Sequence, residues 1–185
     1  MIFSDLYVRF YNEAFKFVDA QGAGELEKFF AAIAENVFPR VGDLFMKKGL
    51  DGMEEYWGTI RKEENCASAS RIEDGVRISS ESKCPSLSKV LNSDAAPCPK
   101  YCLHCPGWVL PVMTRCGFYC VFDVIGVDVP ECGSFQTESR EKAENIVRQL
   151  AAAGRDPKLI FTNLDQAEEV ERNQRRRKSA ISGQA

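Results

Sequence analysis

The sequence predicts an α+β fold with N-terminal helices packed on a small antiparallel sheet, a cysteine-rich loop and C-terminal helices. Three observations predict this class. Apolar residues recur at helical spacing over residues 1–65, they alternate with polar residues near Val76 and Ile78, and helical spacing returns after Ser139. A chain with this order of patterns places its helices at both ends and its strands in the middle.

The chain has 185 residues, which is enough for one domain to bury an independent core. We expect a single α+β domain that is followed by a basic, flexible tail containing four consecutive cations. The expected bounds are 1–171 for the domain, with a helical part at 1–65, a cysteine-rich α+β part at 66–140 and C-terminal helices at 139–171, and 172–185 for the tail.

Glycine and proline divide the helical part. Gly22 and Gly24 separate the first two helices, and Pro39 should kink or end the second one because it lacks a backbone donor. Asp51 is a suitable N-cap for a third helix. The apolar positions that predict these helices are Tyr7, Tyr11, Phe15, Val18, Leu26, Phe29, Phe30, Ile33, Val37, Met53, Tyr56, Trp57 and Ile60.

A β-hairpin is predicted around Asp74-Gly75. A two-residue turn would pair Ile72 with Arg77, whereas a three-residue loop would pair Ile72 with Val76 on one apolar face. We prefer the three-residue loop, because it places apolar residues together. Its register would also bring Cys66 and Cys84 to the far end of the hairpin.

The remaining elements follow from apolar runs and caps. Residues 118–125 form a nearly continuous apolar run typical of a buried central strand, and Cys132 to Thr137 suggest a partner strand. Between the hairpin and this run, a short helix should begin at Pro106. Ser139 is a suitable N-cap for the amphipathic helix that follows.

Charge and hydropathy exclude several classes of function. The net charge of -3 provides no general attraction to nucleic acid or to anionic membranes. No apolar stretch reaches the roughly 18 residues of a spanning helix, and the first residues lack the pattern of a secretory signal. We therefore expect a cytoplasmic protein without membrane or nucleic-acid partners. The basic run Arg175 to Lys178 could contact a protein partner, but a solvated helix end, where cations complement the dipole, is the preferred interpretation.

The cysteines carry the strongest chemical signal. Cys98, Cys102 and Cys105 lie within eight residues, and the only histidine, His104, lies among them. Cys84 follows the hairpin and supplies a fourth thiol. In a reducing compartment such a group more plausibly binds a metal than forms disulfides. The predicted ligands are therefore Cys84, Cys98, Cys102 and Cys105.

Two cofactors fit these thiolates. Zinc would take four tetrahedral ligands, with His104 able to replace one thiol, and an iron-sulfur cluster would use the same residues. The spacing of three residues and then two also occurs in radical enzymes that cleave S-adenosylmethionine. We reject that class, because only 80 residues follow Cys105 and its barrel needs roughly 200.

Asp123 is the other unusual residue, since it is a carboxylate inside an apolar strand. Burial of an ionised carboxylate is costly without a partner, so the side chain should be paired, protonated or directed to a polar cavity. In a cavity it would be a candidate general base. A strand-end aspartate facing solvent is the alternative interpretation.

At these residues the chain resembles the L-2-amino-thiazoline-4-carboxylic acid hydrolase-like proteins and the vinyl-reductase-type small-molecule-binding domains. The resemblance covers roughly residues 60–140 and consists of Cys84-Pro85, a cysteine near a helix start at Cys102, and Cys132-Gly133-Ser134-Phe135 on a late strand. It implies a small-molecule pocket between helices and sheet, and hydrolytic opening of a cyclic C–N bond in a sulfur-containing substrate.

Two mechanisms fit such an activity. A thiolate-bound metal could polarise the ring or activate water, with Asp123 accepting a proton. Alternatively, the thiolate of Cys102 or Cys105 could attack the amidine carbon beside protonated His104. The competing hypothesis is a non-catalytic metal or cluster protein that acts as a sensor or accessory module.

Overall fold

The computed structural model describes residues 3–64 and 67–182 and confirms the predicted α+β fold. Five antiparallel strands form one sheet in the order β1-β2-β4-β3-β5. Helices cover both faces of this sheet. The elements are α1 (Phe3–Asp19), α2 (Glu25–Glu63), β1 (Ala67–Glu73), β2 (Val76–Lys83), α3 (Pro85–Leu91), α4 (His104–Cys116), β3 (Tyr119–Val124), β4 (Cys132–Thr137), α5 (Arg140–Ala152), β5 (Ile160–Thr162) and α6 (Ala167–Ser182).

The central strand β3 divides the core into two layers. Residues 119–124 are all buried between β4 and β5, as their apolar run predicts. Cys120 and Phe122 point to α2 and α4, where they join a core that includes Phe45. Tyr119 and Val121 point to the opposite face, where α5 and α6 cover them. Side chains alternate between faces along a strand, so neighbouring residues of β3 lie in different environments.

The N-terminal helices break at a different residue from the one predicted. Pro39 lies inside α2 without ending it. The backbone leaves the helical conformation at Gly49, with φ 61° and ψ -134°, and the helix then resumes. Glycine tolerates this positive φ because it has no Cβ. None of the described helices is long and apolar enough to cross a bilayer.

The preferred hairpin register is wrong. Glu73 pairs with Val76 and Ile72 pairs with Arg77, so the turn has two residues, Asp74 and Gly75. Both turn residues have positive φ, 49° and 69°, which is the signature of a type I′ turn. The conformation of the backbone turn therefore outweighs the pairing of apolar residues. The expectation for Cys66 lies outside the described residues.

The segment between the hairpin and β3 is more helical than the sequence suggests. Cys84 is the N-cap of α3, whose first residue is Pro85. A single 3-10 turn at Tyr101–Leu103 leads directly into α4, which begins at His104 and continues through Pro111. The starts of α3 and α4 therefore carry three cysteines, Cys84, Cys102 and Cys105.

The predicted flexible tail continues α6 as far as Ser182. Arg177 is buried, forms an ion pair with Glu138 and stacks 4.0 Å from the centroid of the Phe118 ring. Its Nη1 also donates to the carbonyl of Cys116 at 3.4 Å. This cation is therefore part of the packed domain, because its long side chain covers an aromatic ring while its charge is paired.

Candidate metal centre and adjoining cavity

Four cysteines converge on one small cavity of about 30 Å³. They come from different parts of the chain: Cys84 lies between β2 and α3, Cys102 in the 3-10 turn, Cys105 in the first turn of α4, and Cys132 at the start of β4. The fold therefore brings three of the four predicted ligands together and adds Cys132.

Cys98 lies elsewhere. Its side chain is 1% exposed and packs in an apolar cluster with Phe15 and Leu87. Its backbone N–H donates to Asn12 Oδ1 at 2.8 Å. Cys102 and Cys84 pack against the same apolar cluster, but Cys98 does not line the thiol cavity.

Burial and like charge make the cavity thiols weak acids. Burial, followed by the charge of a Cys105 thiolate, raises the pKa of Cys84 to about 11. Burial likewise raises the pKa of Cys102 to about 12 and that of Cys105 to about 12. The pKa of Cys132 is also raised, first by burial and then by the charges of the other three thiolates and of Glu81. Without a cation the four groups are neutral thiols at pH 7.

This donor set suits a metal cation. Four sulfur ligands are typical of structural zinc, and a cation would offset the repulsion that keeps the thiols protonated. The cavity has room for about one atom the size of a water molecule or metal ion. As the side chains stand in residues 3–64 and 67–182, no three His, Cys, Asp or Glu groups meet the geometry of a metal site. Binding therefore requires the thiols to turn toward a common centre.

His104 is arranged as a proton acceptor for Cys105. Its Nδ1 lies 2.6 Å from the Tyr101 carbonyl, which can only accept, so Nδ1 carries the hydrogen. In neutral imidazole Nε2 is then the acceptor, and it lies 3.3 Å from the Cys105 sulfur. Burial lowers the pKa of His104. This geometry favours a thiol donating to neutral imidazole and does not favour the thiolate beside protonated His104 that direct attack would need.

Asp123 lies on the opposite face of the sheet. It is 6% exposed, and its Oδ2 forms an ion pair with Arg155 Nε at 3.1 Å. Its Oδ1 is buried and has no hydrogen-bond partner within the described part of the chain. Because Phe122 points into the cysteine cavity, the next residue along the strand points away from it. The fold does not bring Asp123 to the cavity thiols.

A larger cavity of about 210 Å³ adjoins the thiols and shares Cys84, Cys105 and Cys132 with the smaller one. Both tryptophans of the chain, Trp57 and Trp108, line it. Its walls come from α2, β2, α4 and β4. The other lining residues are Ile60, Arg61, Arg77, Ser79, Glu81, Pro85, Ser86, Val109, Phe122, Gly133 and Ser134.

Polar residues of β2 form the inner wall of this cavity, and sequence reasoning missed them. Arg77, Ser79 and Glu81 alternate along the strand and share one face. The signal for them was the alternation itself, which places Arg77 and Ser79 on the face opposite Val76 and Ile78. Burial raises the pKa of Glu81, and the nearby charges of Arg61 and Arg77 offset this only in part.

The arginines share a carboxylate beside the cavity. Arg77 Nε donates to Glu54 Oε2 at 3.0 Å, and Nη1 donates to Gln136 Oε1 at 2.9 Å. Arg61 Nη2 contacts the other oxygen of Glu54, Oε1, which also accepts from Ser70 at 2.6 Å. The guanidinium of Arg77 lies 4.8 Å from the centroid of the Trp57 ring. Each arginine is thus held by Glu54, and each retains one buried Nη atom without a hydrogen-bond partner among the described residues.

Fold and site together define a class: an α+β domain in which a group of four thiols forms one wall of a small-molecule-sized cavity. Comparison of the chain with protein-family models, with curated proteins and with solved structures found no match in any of the three. The chemistry of the site itself therefore provides the evidence for function.

Proposed function

We propose that this chain is a cysteine-ligated metal protein that binds a small molecule beside its metal. The observation that carries the proposal is the convergence of Cys84, Cys102, Cys105 and Cys132 on one cavity. Three of these thiols also line the larger cavity. A metal held there would lie next to whatever occupies that cavity.

The dimensions of the thiol cavity favour one zinc ion over an iron-sulfur cluster. A volume of about 30 Å³ holds a single ion but not a four-iron cluster with its sulfides. Zinc also accepts four thiolates without preference for a particular redox state. The iron-sulfur cluster remains the alternative cofactor, and its colour makes the two easy to distinguish.

Metal analysis of two cysteine variants tests the proposal and the ligand set. The protein would be purified without oxygen, and its metals measured by mass spectrometry together with an absorption spectrum. We expect one zinc per chain in the wild type and in Cys98→Ser, and none in Cys132→Ser. Cys98 is the control because it is also a free cysteine but lies in an apolar cluster and does not line the cavity.

Each other result has a definite meaning. A wild-type protein without metal would overturn the proposal. If Cys98→Ser loses the metal and Cys132→Ser retains it, then Cys98 and not Cys132 is the fourth ligand, as the sequence spacing predicts. Brown protein with a broad band near roughly 400 nm would replace zinc with an iron-sulfur cluster.

Hydrolysis of a cyclic C–N bond is the second candidate function. Glu81 supports it, because its carboxyl lies in the wall of the larger cavity with a raised pKa and can exchange a proton there. Asp123 lies on the other face of the sheet, and His104 lies behind Cys105. We expect Glu81→Gln to abolish hydrolysis of a cyclic amidine substrate while the zinc content stays unchanged. Full metal content without any turnover would favour the sensor or accessory protein.

A further inference from the structure

The inner wall of the larger cavity contains a buried guanidinium that is only partly satisfied. Arg77 is 1% exposed, and its Nη2 is buried without a hydrogen-bond partner anywhere in residues 3–64 and 67–182. Its Nε and Nη1 are bound to Glu54 and Gln136, so the side chain is fixed. An unpaired buried donor on a charged group is costly, and a ligand acceptor would remove that cost.

Arg61 provides a second donor of the same kind. Its Nη1 is buried and lacks a partner among the residues that the structure describes, while its Nη2 contacts Glu54. Both arginines line the same cavity. Glu54 thus contacts both guanidinium groups and offsets one of their two charges, while each group retains a nitrogen without a partner in the described part of the chain.

We infer that the larger cavity binds a monocarboxylate with a flat apolar body, whose carboxylate oxygens accept hydrogen bonds from Arg61 Nη1 and Arg77 Nη2. This inference rests on the proposed function in one respect only, that the cavity holds a small molecule. It does not depend on the metal. A carboxylate has two oxygens in one plane, which suits two guanidinium donors.

Charge selects a monocarboxylate over a phosphate. The two arginines carry two positive charges, and Glu54 offsets one of them. Burial raises the pKa of Glu81 and so favours its neutral form, which leaves the site able to offset about one further negative charge. A dianionic phosphate would exceed this balance by one charge. A singly charged carboxylate adds less repulsion and uses the same donors.

The aromatic walls of the cavity favour a ligand whose apolar part is planar. Trp57 and Trp108 line the cavity together with Phe122 and Val109, and Arg77 stacks on Trp57 from the sheet side. Ring faces and aliphatic side chains favour a planar apolar group. A one-ring acid such as phenylacetate is therefore the appropriate probe.

The two tryptophans also provide the measurement. Purified full-length protein is titrated with phenylacetate and with phenylacetamide, which has the same shape but no charge, while tryptophan fluorescence is recorded. We expect the acid to bind about 10- to 100-fold more tightly than the amide, as charged hydrogen bonds usually allow. This comparison uses the wild-type protein and requires no variant to fold.

A matched pair of variants assigns the effect to the cavity. Arg61→Gln should remove most of the preference for the acid, whereas Arg71→Gln should keep it, because Arg71 is an exposed residue of β1 that is paired with Glu73. Circular dichroism confirms that both variants are folded. An unchanged preference in folded Arg61→Gln would overturn the inference.

The remaining outcomes separate this inference from the proposed function. Equal binding of acid and amide would overturn the carboxylate assignment and leave a small-molecule cavity beside the metal. Tighter binding of phenyl phosphate than of phenylacetate would likewise overturn it. Absence of any binding would overturn the inference, while the zinc content of the same preparation would decide the metal site independently.

Discussion

Two groups of cysteines lie a short distance apart in this fold and have different surroundings. Cys84, Cys102, Cys105 and Cys132 face one another across a small cavity. Cys116 and Cys120, by contrast, are fully buried in the main core. Burial raises the pKa of a thiol in both groups, to about 12 for Cys102 and to about 12 for Cys120.

The difference lies in the neighbours of each thiol. Arg177 and Arg115 partly offset the effect of burial on Cys116, and Gln136 donates to Cys120 at 3.5 Å. The cavity thiols instead raise one another's pKa values. A buried cysteine with a donor or cation nearby is a satisfied core residue, whereas four thiols that repel one another as anions favour the entry of a cation.

Metal removal should show the largest difference between the two groups. A chelator should lower the melting temperature of the wild-type protein by about 10 °C or more, because bound metal stabilises only the folded chain. In Cys116→Ser the chelator should lower the melting temperature by the same amount, whatever the melting temperature of the untreated variant. Cys84→Ser should show no shift with chelator. A wild-type melting temperature that does not change with the chelator would contradict this comparison.

Alkaline unfolding should separate the metal-free and zinc-loaded forms. In the metal-free protein the folded state keeps protons on thiols that ionise near pH 9 once the chain unfolds. Its stability should therefore fall as pH rises above about 9, by about 1.4 kcal/mol per pH unit for each such thiol. Bound zinc keeps the cavity thiols deprotonated, so the loaded form should lose less stability over this range and should release metal at low pH.

Urea unfolding at pH 8, 9 and 10, with and without chelator, measures this difference. Tyr119, whose pKa burial raises to about 12, titrates in both forms and cancels in the comparison. The same dependence on pH with and without metal would show that the cavity thiols do not bind it.

The smallest expected effect comes from a core cysteine. Cys120→Ala should lower the free energy of unfolding by about 1 kcal/mol, because it removes a buried sulfur and the acceptor for Gln136. Its zinc content should match that of the wild type. Calorimetry and metal analysis of one preparation test both statements, and a loss of zinc here would extend the metal site beyond the cavity.

Local patterns in the sequence predicted much of this arrangement. The amphipathic helix after Ser139 begins as expected, with the serine side chain accepting from Lys142 N. The run at β3 is a buried central strand. Cys102 and Cys105 lie close together because one short turn and one helix start carry both. Each of these features depends on residues that are near one another along the chain.

The features that the sequence did not predict depend on pairing between distant segments. Cys132 enters the cavity because β4 pairs with β2 and places this residue opposite Glu81. Arg77 lies inward because β2 pairs with β4 and the face of β2 that carries Arg77 packs toward α2, the helix that carries Arg61. A one-residue shift exchanges the two faces of a strand, and no local pattern decides between such registers when both faces carry polar groups.

The sequence by itself therefore determined the α+β class, the central strand and the presence of a thiol cluster, since periodicity, caps and short spacings are local properties. Only the tertiary structure decided that Cys132 joins that cluster, that Cys98 belongs to the core, and that Asp123 faces away from it. It also decided that Arg61 and Arg77, each with a buried Nη that lacks a partner in the described residues, line an aromatic cavity. The physical reason is that long-range strand pairing and helix packing assign each side chain to a face, and residue order alone does not contain that assignment.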